Sequence, residues 1–297
     1  MLTAEINRYI ALRRSLGFKL KETAKNLASF GQFAEARGER HVRTATAVAW
    51  AESASTPDTR YRRITDVIRL AAFLQAEDAA HEIPPGGIFK AHRTKFIPYI
   101  FTDDELAKFV DAARVRQQGE NSAVRQEIYA VLFGLMASTG LRISEVLNLT
   151  LSDVLPDGVL HIRNTKFGKC RMVPLHPSVV RVLKQYMDLR LAVMAEDDHL
   201  FLSEGNRKIY YSVPQRAFHE ILALADIAPG RSRRPRIHDL RHTFATMALQ
   251  NGVDVKTVSS MLGHYSAGFT LDTYAHVTTD AQLKAAQTMG SILSRAV

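Results

Sequence analysis

Four short islands in the later part of the sequence hold side chains that phosphoryl-transfer chemistry can use. Ser138-Thr139-Gly140-Leu141-Arg142-Ile143-Ser144-Glu145 places Arg142 at a glycine-marked junction between two helical patterns. Asn164-Thr165-Lys166-Phe167-Gly168-Lys169-Cys170-Arg171 projects two lysines from a turn. Arg236-Ile237-His238-Asp239-Leu240-Arg241-His242 puts His238 and Arg241 three apart, on one helix face. At a helix N-terminus such a pair adds side-chain donors to the positive end of the dipole, which is how a phosphate is held. The fourth island is Leu262-Gly263-His264, followed ten residues later by Tyr274. Each has a plainer reading by itself: Arg142 can cap a helix, lysines at a hairpin tip keep an edge soluble, and a lone Tyr or His is more often a packing group.

The elements that must position these islands follow from apolar spacing. Leu2, Ile6, Tyr9 and Ile10 before Gly17, and Leu27, Phe30, Phe33 and Ala34 before Gly38, predict two helices. Residues 45–54 and 60–75 predict two more, the last opened by Thr56-Pro57-Asp58 and lined by Ile64, Val67, Ile68 and Phe73. Its charged residues Arg60, Arg62, Arg63 and Arg69 are either a solvated face or phosphate contacts. Residues 80–101 break the pattern with Pro84-Pro85-Gly86-Gly87 and a basic run of Lys90, His92, Arg93 and Lys95, which predicts a linker suited to lie along a polyanion. Thr102-Asp103-Asp104-Glu105 has the form of a helix start. Helices are predicted over 127–138, from Ser144, and over 178–194, 213–225, 240–249, 255–262 and 280–294. Two short strands, 159–164 and 170–173, flank a hairpin turn at 165–169. The expected architecture is a helical domain over 1–80, a linker over 81–101 and a mainly α domain with a small β-hairpin over 102–297.

Composition narrows the partner. The 297 residues carry a formal charge of +9, with 15 Lys and Arg against 10 Asp and Glu in residues 1–93 and 24 against 20 in the rest. Positive charge in both parts suits a protein that grips a polyanion with each of them. The first residues, with Arg8, Arg13 and Arg14, leave no apolar signal-peptide region. The most apolar stretch, 129–141, falls short of the roughly 20 residues a membrane helix needs. The single cysteine, Cys170, excludes an internal disulfide and a multi-Cys zinc site. A cytoplasmic protein with no membrane partner is expected.

Taken in order, Arg142, Lys166, His238-x-x-Arg241, Leu262-Gly263-His264 and Tyr274 resemble the lambda-integrase family of tyrosine recombinases, across the whole second domain. Arg14-x-Leu16-Gly17-Phe18 resembles, more weakly, the helical core-binding domain of Xer-like and transposon-encoded members. Tyr265 after the His, where small polar residues are commoner, and the run Arg231-Ser232-Arg233-Arg234-Pro235-Arg236 depart from the usual pattern and leave the subfamily open.

The resemblance implies that Tyr274 attacks a DNA phosphodiester, leaving a 3′-phosphotyrosine and a free 5′ hydroxyl. Arg142 and Arg241 would clasp the non-bridging oxygens. Lys166 would protonate the leaving oxygen, and His238 and His264 would bind the phosphate or assist proton transfer. Glu145 would orient its neighbours, and Lys169, with Arg60, Arg62, Arg63, Lys90, Arg93 and Lys95, would contact DNA. No metal and no nucleotide cofactor is implied. The implied partner is double-stranded DNA carrying a specific site, bound by a dimer and synapsed by a tetramer, with accessory recombinases or directionality proteins. The final segment, with Leu283, Ala286, Met289, Ile292 and Leu293, would dock on a neighbouring protomer.

Other classes fit less well. A topoisomerase of the same chemistry, or a catalytically silent DNA-binding relative, shares most of these residues. A zinc hydrolase is suggested by His238-Asp239-Leu240-Arg241-His242, but Asp stands where that motif has Glu, and Arg241 would set a permanent charge beside a dication.

Overall fold

The computed structural model describes residues 1–91, 97–116, 122–163, 170–230, 234–264, 266–271 and 273–274. The chain divides into two units, Met1–Phe96 and Ile97–Val297. Arg93, Lys95, Lys166, Lys169, the hairpin turn, Tyr265, Arg231–Arg233 and the terminal segment 280–294 lie outside the described residues. The expected class holds: helices throughout, with one two-stranded antiparallel sheet among the described residues.

The first unit packs α1 (Leu2–Ser15), α2 (Lys21–Glu35), α3 (Thr44–Glu52) and α4 (Pro57–Gln75) around one core. Leu2, Ile6, Tyr9, Ile10, Leu27, Phe30 and Ala34 are buried at the spacing that predicted them, while Phe33 and Phe73 are only partly covered. Helix α4 starts at Pro57, ahead of Arg60, because Thr56 caps it through a hydrogen bond from the Thr59 N–H at 3.2 Å and proline is preset for the first turn. Its arginines divide. Arg63 lies over the Trp50 ring and donates to the Trp50 carbonyl and to Ser53 Oγ, and Arg60 donates to the Ala54 carbonyl. Both therefore hold the C-terminal end of α3, whose carbonyls lack helical partners. Arg62 and Arg69 are exposed. The buried His81 joins α1 to the chain around α3 and α4. Its Nδ1 accepts the Val42 N–H, so in the neutral ring the proton is on Nε2, facing Glu5 at 3.5 Å. That tautomer makes its grouping with His41 and Asp78 a clasp, not a set of metal ligands.

The second unit is organised by α6 (Ala123–Thr139), which is buried on most of its circumference from Ile128 to Met136. A helix apolar all round sits at a centre, and α6 packs against α5 (Asp103–Arg116), α8 (Pro177–Leu191) and α10 (Ile237–Gln250). Phe109, Phe133 and Phe218, from α5, α6 and α9 (Ser212–Leu224), meet with ring centroids 5.1–5.5 Å apart. Helix α5 starts as expected, with Thr102 Oγ1 accepting the Glu105 N–H and Glu105 accepting the Thr102 N–H. A short α7 (Ile143–Val146) follows α6. Strands β1 (Val159–Ile162) and β2 (Arg171–Pro174) pair with Ile162 opposite Arg171. Helix α11 (Val255–Leu262) touches α10 and β2, and residues 267–271 and 273–274 are helical again.

Candidate active site

Arg241 is the centre of the site. Its position on α10 aims a guanidinium into the second unit, where it is 2% exposed. Nη1 donates to the Gly140 carbonyl at 2.8 Å and Nη2 to the Leu262 carbonyl at 2.7 Å. These carbonyls end α6 and α11, where helices leave acceptors unpaired and carry partial negative charge. Gly140 adopts φ 67°, and a Cβ there would come within 2.6 Å of Leu262 and closer still to Phe244. Only glycine lets the end of α6 meet the end of α11 around this arginine.

Arg142 and Glu145 come from α7. Glu145 accepts the Arg142 N–H at 3.0 Å and the Arg142 guanidinium at 2.8 Å, and Arg142 Nη2 reaches the Gly263 carbonyl at 3.4 Å. The capping reading of Arg142 is thus correct in part: residue 142 starts α7, and its side chain also turns into the site. Arg171 completes the group. It donates twice to Glu145, at 3.1 and 2.7 Å, and once to the Met261 carbonyl at 2.8 Å. Gly263, at φ 63°, passes so close that a Cβ would stand 2.8 Å from the Arg171 guanidinium. Burial would raise the Glu145 carboxyl, but the Arg171 bonds and charge, with Arg142, outweigh it and hold it below the usual range.

Three cations therefore share one carboxylate. Burial, then the Arg142 charge, pushes Arg241 down to about 9; it stays protonated at neutral pH, in surroundings that an anion would relieve. Burial and the same arginines push His238 and His264 down to about 4, so both imidazoles are neutral. His264 is oriented by Thr270, whose Oγ1 lies 2.7 Å from Nδ1, and by Phe269, edge to face at 4.9 Å. Tyr274 is 1% exposed and packs on Ala245, Leu249, Val258 and Leu262. Burial pushes its hydroxyl up to about 12, with Arg241 pulling the other way. The hydroxyl lies 2.9 Å from His242 Nδ1.

Arg142, His238, Arg241, His264, Tyr274 and Glu145 are thus brought together from four parts of the chain. Arg60, Arg62, Arg63 and Lys90 belong to the first unit. Arg171, His242 and Thr270 are the site residues that sequence reasoning missed. His242 repeats His238 at a spacing of four, a signal for a shared face that served only the zinc alternative. The structure gives that alternative no support: His242 Nδ1 faces a phenol, and neither close group of metal-ligating side chains among the described residues includes His238 or His242.

The histidines make the unit acid-sensitive. In the unfolded chain each imidazole protonates near 6.5, in the fold only near 4 or below for His238, His242 and His264. The stabilisation is complete above about pH 6.5 and is lost as pH falls from there through about 4. Because the rings repel one another when charged, they titrate as one coupled group. The urea midpoint of the DNA-free protein should decline between pH 7 and pH 5, above the main carboxylate range; a flat midpoint there would contradict the assigned shifts.

Comparison with known proteins places the chain in a family. Residues 100–280 match the model of the phage integrase family. A Sinorhizobium fredii protein described as an integrase/recombinase, y4rB, is 33% identical over 294 residues, covering 94% of this chain and 93% of its own. Tyrosine recombinase XerD of Brucella abortus is 30% identical over 265 residues, covering 87% and 84%. The XerH site-specific recombinase, solved bound to a palindromic difH substrate in a post-cleavage complex, superposes with a TM-score of 0.69 at 20% identity, over 89% of this chain and 77% of its own. At that identity the likeness speaks to the fold. No described helix is long and apolar enough to cross a membrane.

Proposed function

Because the chain belongs to the phage integrase family of tyrosine recombinases, we propose that it cuts and rejoins DNA through a 3′-phosphotyrosine formed at Tyr274. It is a site-specific DNA recombinase. The observation that carries the residue assignment is a single wall of α10. His238 and Arg241 lie on it, and His242, one turn beyond His238, meets the Tyr274 hydroxyl at 2.9 Å. The groups assigned to the phosphate and the hydrogen-bond partner of the phenol thus share one helix.

The scissile phosphate enters where the excess positive charge of Arg142, Arg171 and Arg241 is unbalanced. Arg142 and Arg241 present guanidinium edges to the non-bridging oxygens, and His238 and His264 add neutral donors. Arrival of the anion raises the proton affinity of both imidazoles, so either can take the phenol proton as Tyr274 attacks phosphorus. A hydroxyl near 12 is almost wholly protonated at neutral pH, so attack and proton removal are coupled. The bond to the 5′ oxygen breaks, and that oxygen takes a proton from Lys166. Religation is the reverse: the 5′ hydroxyl attacks and Tyr274 leaves. Two protomers on a palindromic site match protein two-fold symmetry to DNA symmetry. Exchange between two such sites requires four protomers, with any second recombinase or directionality protein acting on that assembly. The basic residues Arg62, Lys90, Arg93, Lys95 and Lys169 contribute phosphate contacts, which makes binding steeply salt-dependent.

The test uses duplex recovered by covalent capture from genomic DNA, resynthesised with a 5′-bridging sulfur at the cleavage position. A thiolate leaves without a general acid, so Lys166→Ala should be slow on ordinary DNA, by about 10²-fold or more, and largely rescued on the sulfur substrate. Arg142→Ala should not be rescued, because its charge acts on the non-bridging oxygens. Rescue of Lys169→Ala in its place would move the acid to residue 169, and rescue of neither would return the role to a histidine. No covalent capture by the wild-type chain would overturn the phosphotyrosine reading.

A further inference from the structure

The apolar neighbours of Tyr274 fix its ring but cannot hold its hydroxyl. Ala245, Leu249, Val258 and Leu262 offer the side chain surface and no acceptor. A buried hydroxyl needs a partner, and among the described residues the hydrogen-bond partner is His242. His242 is itself well placed to stay still. It is 9% exposed, and its ring lies edge to face with His238 at 5.0 Å and tilted against the Tyr274 ring at 5.8 Å. It projects from the middle of α10, one residue after Arg241, so its orientation is tied to the guanidinium that marks where the phosphate binds.

We propose that His242 is a positioning residue for the nucleophile, its Nδ1 accepting the hydrogen bond of the Tyr274 hydroxyl and aiming it along the wall that carries His238 and Arg241. The proposal rests on Tyr274 being the nucleophile. Two tautomers of a neutral imidazole exist, and only the one protonated on Nε2 can accept at Nδ1. Burial, then His238 and Arg241, push His242 down to about 3, so the ring is neutral at working pH and available as an acceptor. The proton itself passes to His238 or His264, whose affinity the arriving phosphate raises directly. His242 supplies direction.

Direction is worth a great deal in a displacement that needs the attacking oxygen in line. Loss of the acceptor in His242→Leu should slow covalent complex formation on the order of 10²-fold, the usual penalty for a misaimed reactant. His242→Asn, whose amide oxygen reaches close to the position of Nδ1, should recover most of that rate. The control is a nucleophile that needs no aiming. In the Tyr274→Phe protein, hydrogen peroxide can attack the same phosphorus, and strand breakage then reports the phosphate pocket alone. Adding His242→Leu to Tyr274→Phe should spare this peroxide-driven cleavage.

The proposal fails if His242→Leu forms the adduct at the wild-type rate, if His242→Asn is as slow as His242→Leu, or if peroxide cleavage falls in parallel with tyrosine cleavage. That last outcome would make His242 a support for the fold or the phosphate pocket. A covalent adduct from Tyr274→Phe alone would instead overturn the nucleophile assignment on which the proposal rests, so the two failures are distinct. Should His242→Leu not fold, the comparison of His242→Asn with wild type, with and without peroxide, carries the test.

Discussion

Replacing Tyr274 by Phe is expected to leave DNA binding close to wild type and to lower covalent complex formation by at least ~10⁴-fold, the scale on which loss of an enzymatic nucleophile is felt. The substitution removes one oxygen. The ring keeps its seat among Ala245, Leu249, Val258 and Leu262, so no cavity opens. What is lost locally is the bond to His242 at 2.9 Å, and leaving that buried nitrogen without the hydroxyl costs about 1–3 kcal/mol of stability. Binding, proposed to rest on lysines and arginines of both units, should be spared. A nicked suicide duplex resolved on a denaturing gel checks the result, with a thermal melt to confirm that the variant is folded. A persistent denaturation-resistant adduct would move the nucleophile elsewhere, with Tyr265 the next candidate.

The second large effect is expected from Arg241→Lys, a change that keeps the charge. The guanidinium spans two carbonyls, of Gly140 and Leu262, at 2.8 and 2.7 Å, and in the proposed reaction it also meets the phosphate. An ammonium is a point charge on a flexible stem and cannot match that fork. One helix-end carbonyl would be left unpaired in a buried site, at about 1–3 kcal/mol. Cleavage should fall by roughly 10²–10³-fold, the range seen when one preorganised donor is removed from a transition state. The melting temperature should fall with it. Arg142→Lys offers the contrast: its side chain is 24% exposed and its strongest bond is to Glu145, so rate should suffer more than stability. Single-turnover cleavage and melting of both variants decide the matter. Near-wild-type cleavage by Arg241→Lys would remove residue 241 from the phosphate and leave it a structural bolt.

How much of this was legible beforehand depended on the range of each interaction. Local rules read well. The spacing of Leu2, Ile6, Tyr9 and Ile10 predicted the buried face of α1, and Thr102 with Glu105 predicted the start of α5. Where a local rule competed with tertiary contact it did less well. Spacing alone allows Arg60 and Arg63 a solvated or a phosphate-facing role, and their side chains also hold the end of α3, because the carbonyls of residues 50 and 54 lie within reach once α3 and α4 pack. Phe33 and Phe73, both on apolar spacing, are only partly covered, since the four-helix core closes over their neighbours first.

The sequence by itself determined the class of elements, the ordered set of Arg142, His238, Arg241, His264 and Tyr274, and the family they resemble, because capping, amphipathic spacing and motif order act within a turn or two of the chain. Only the tertiary structure decided which groups complete that set. Arg171 lies 26 residues from Glu145 and 90 from Met261, and its fork is meaningful only when β2, α7 and the end of α11 meet. Arg241 closes two helix ends, 101 and 21 residues away, around a glycine whose backbone no other residue could adopt without striking Phe244 and Leu262. His242 meets Tyr274 across 32 residues. A hydrogen bond is specified by positions within a few tenths of an ångström, and positions that far apart in sequence are set by how the whole core packs, not by any residue's own preference.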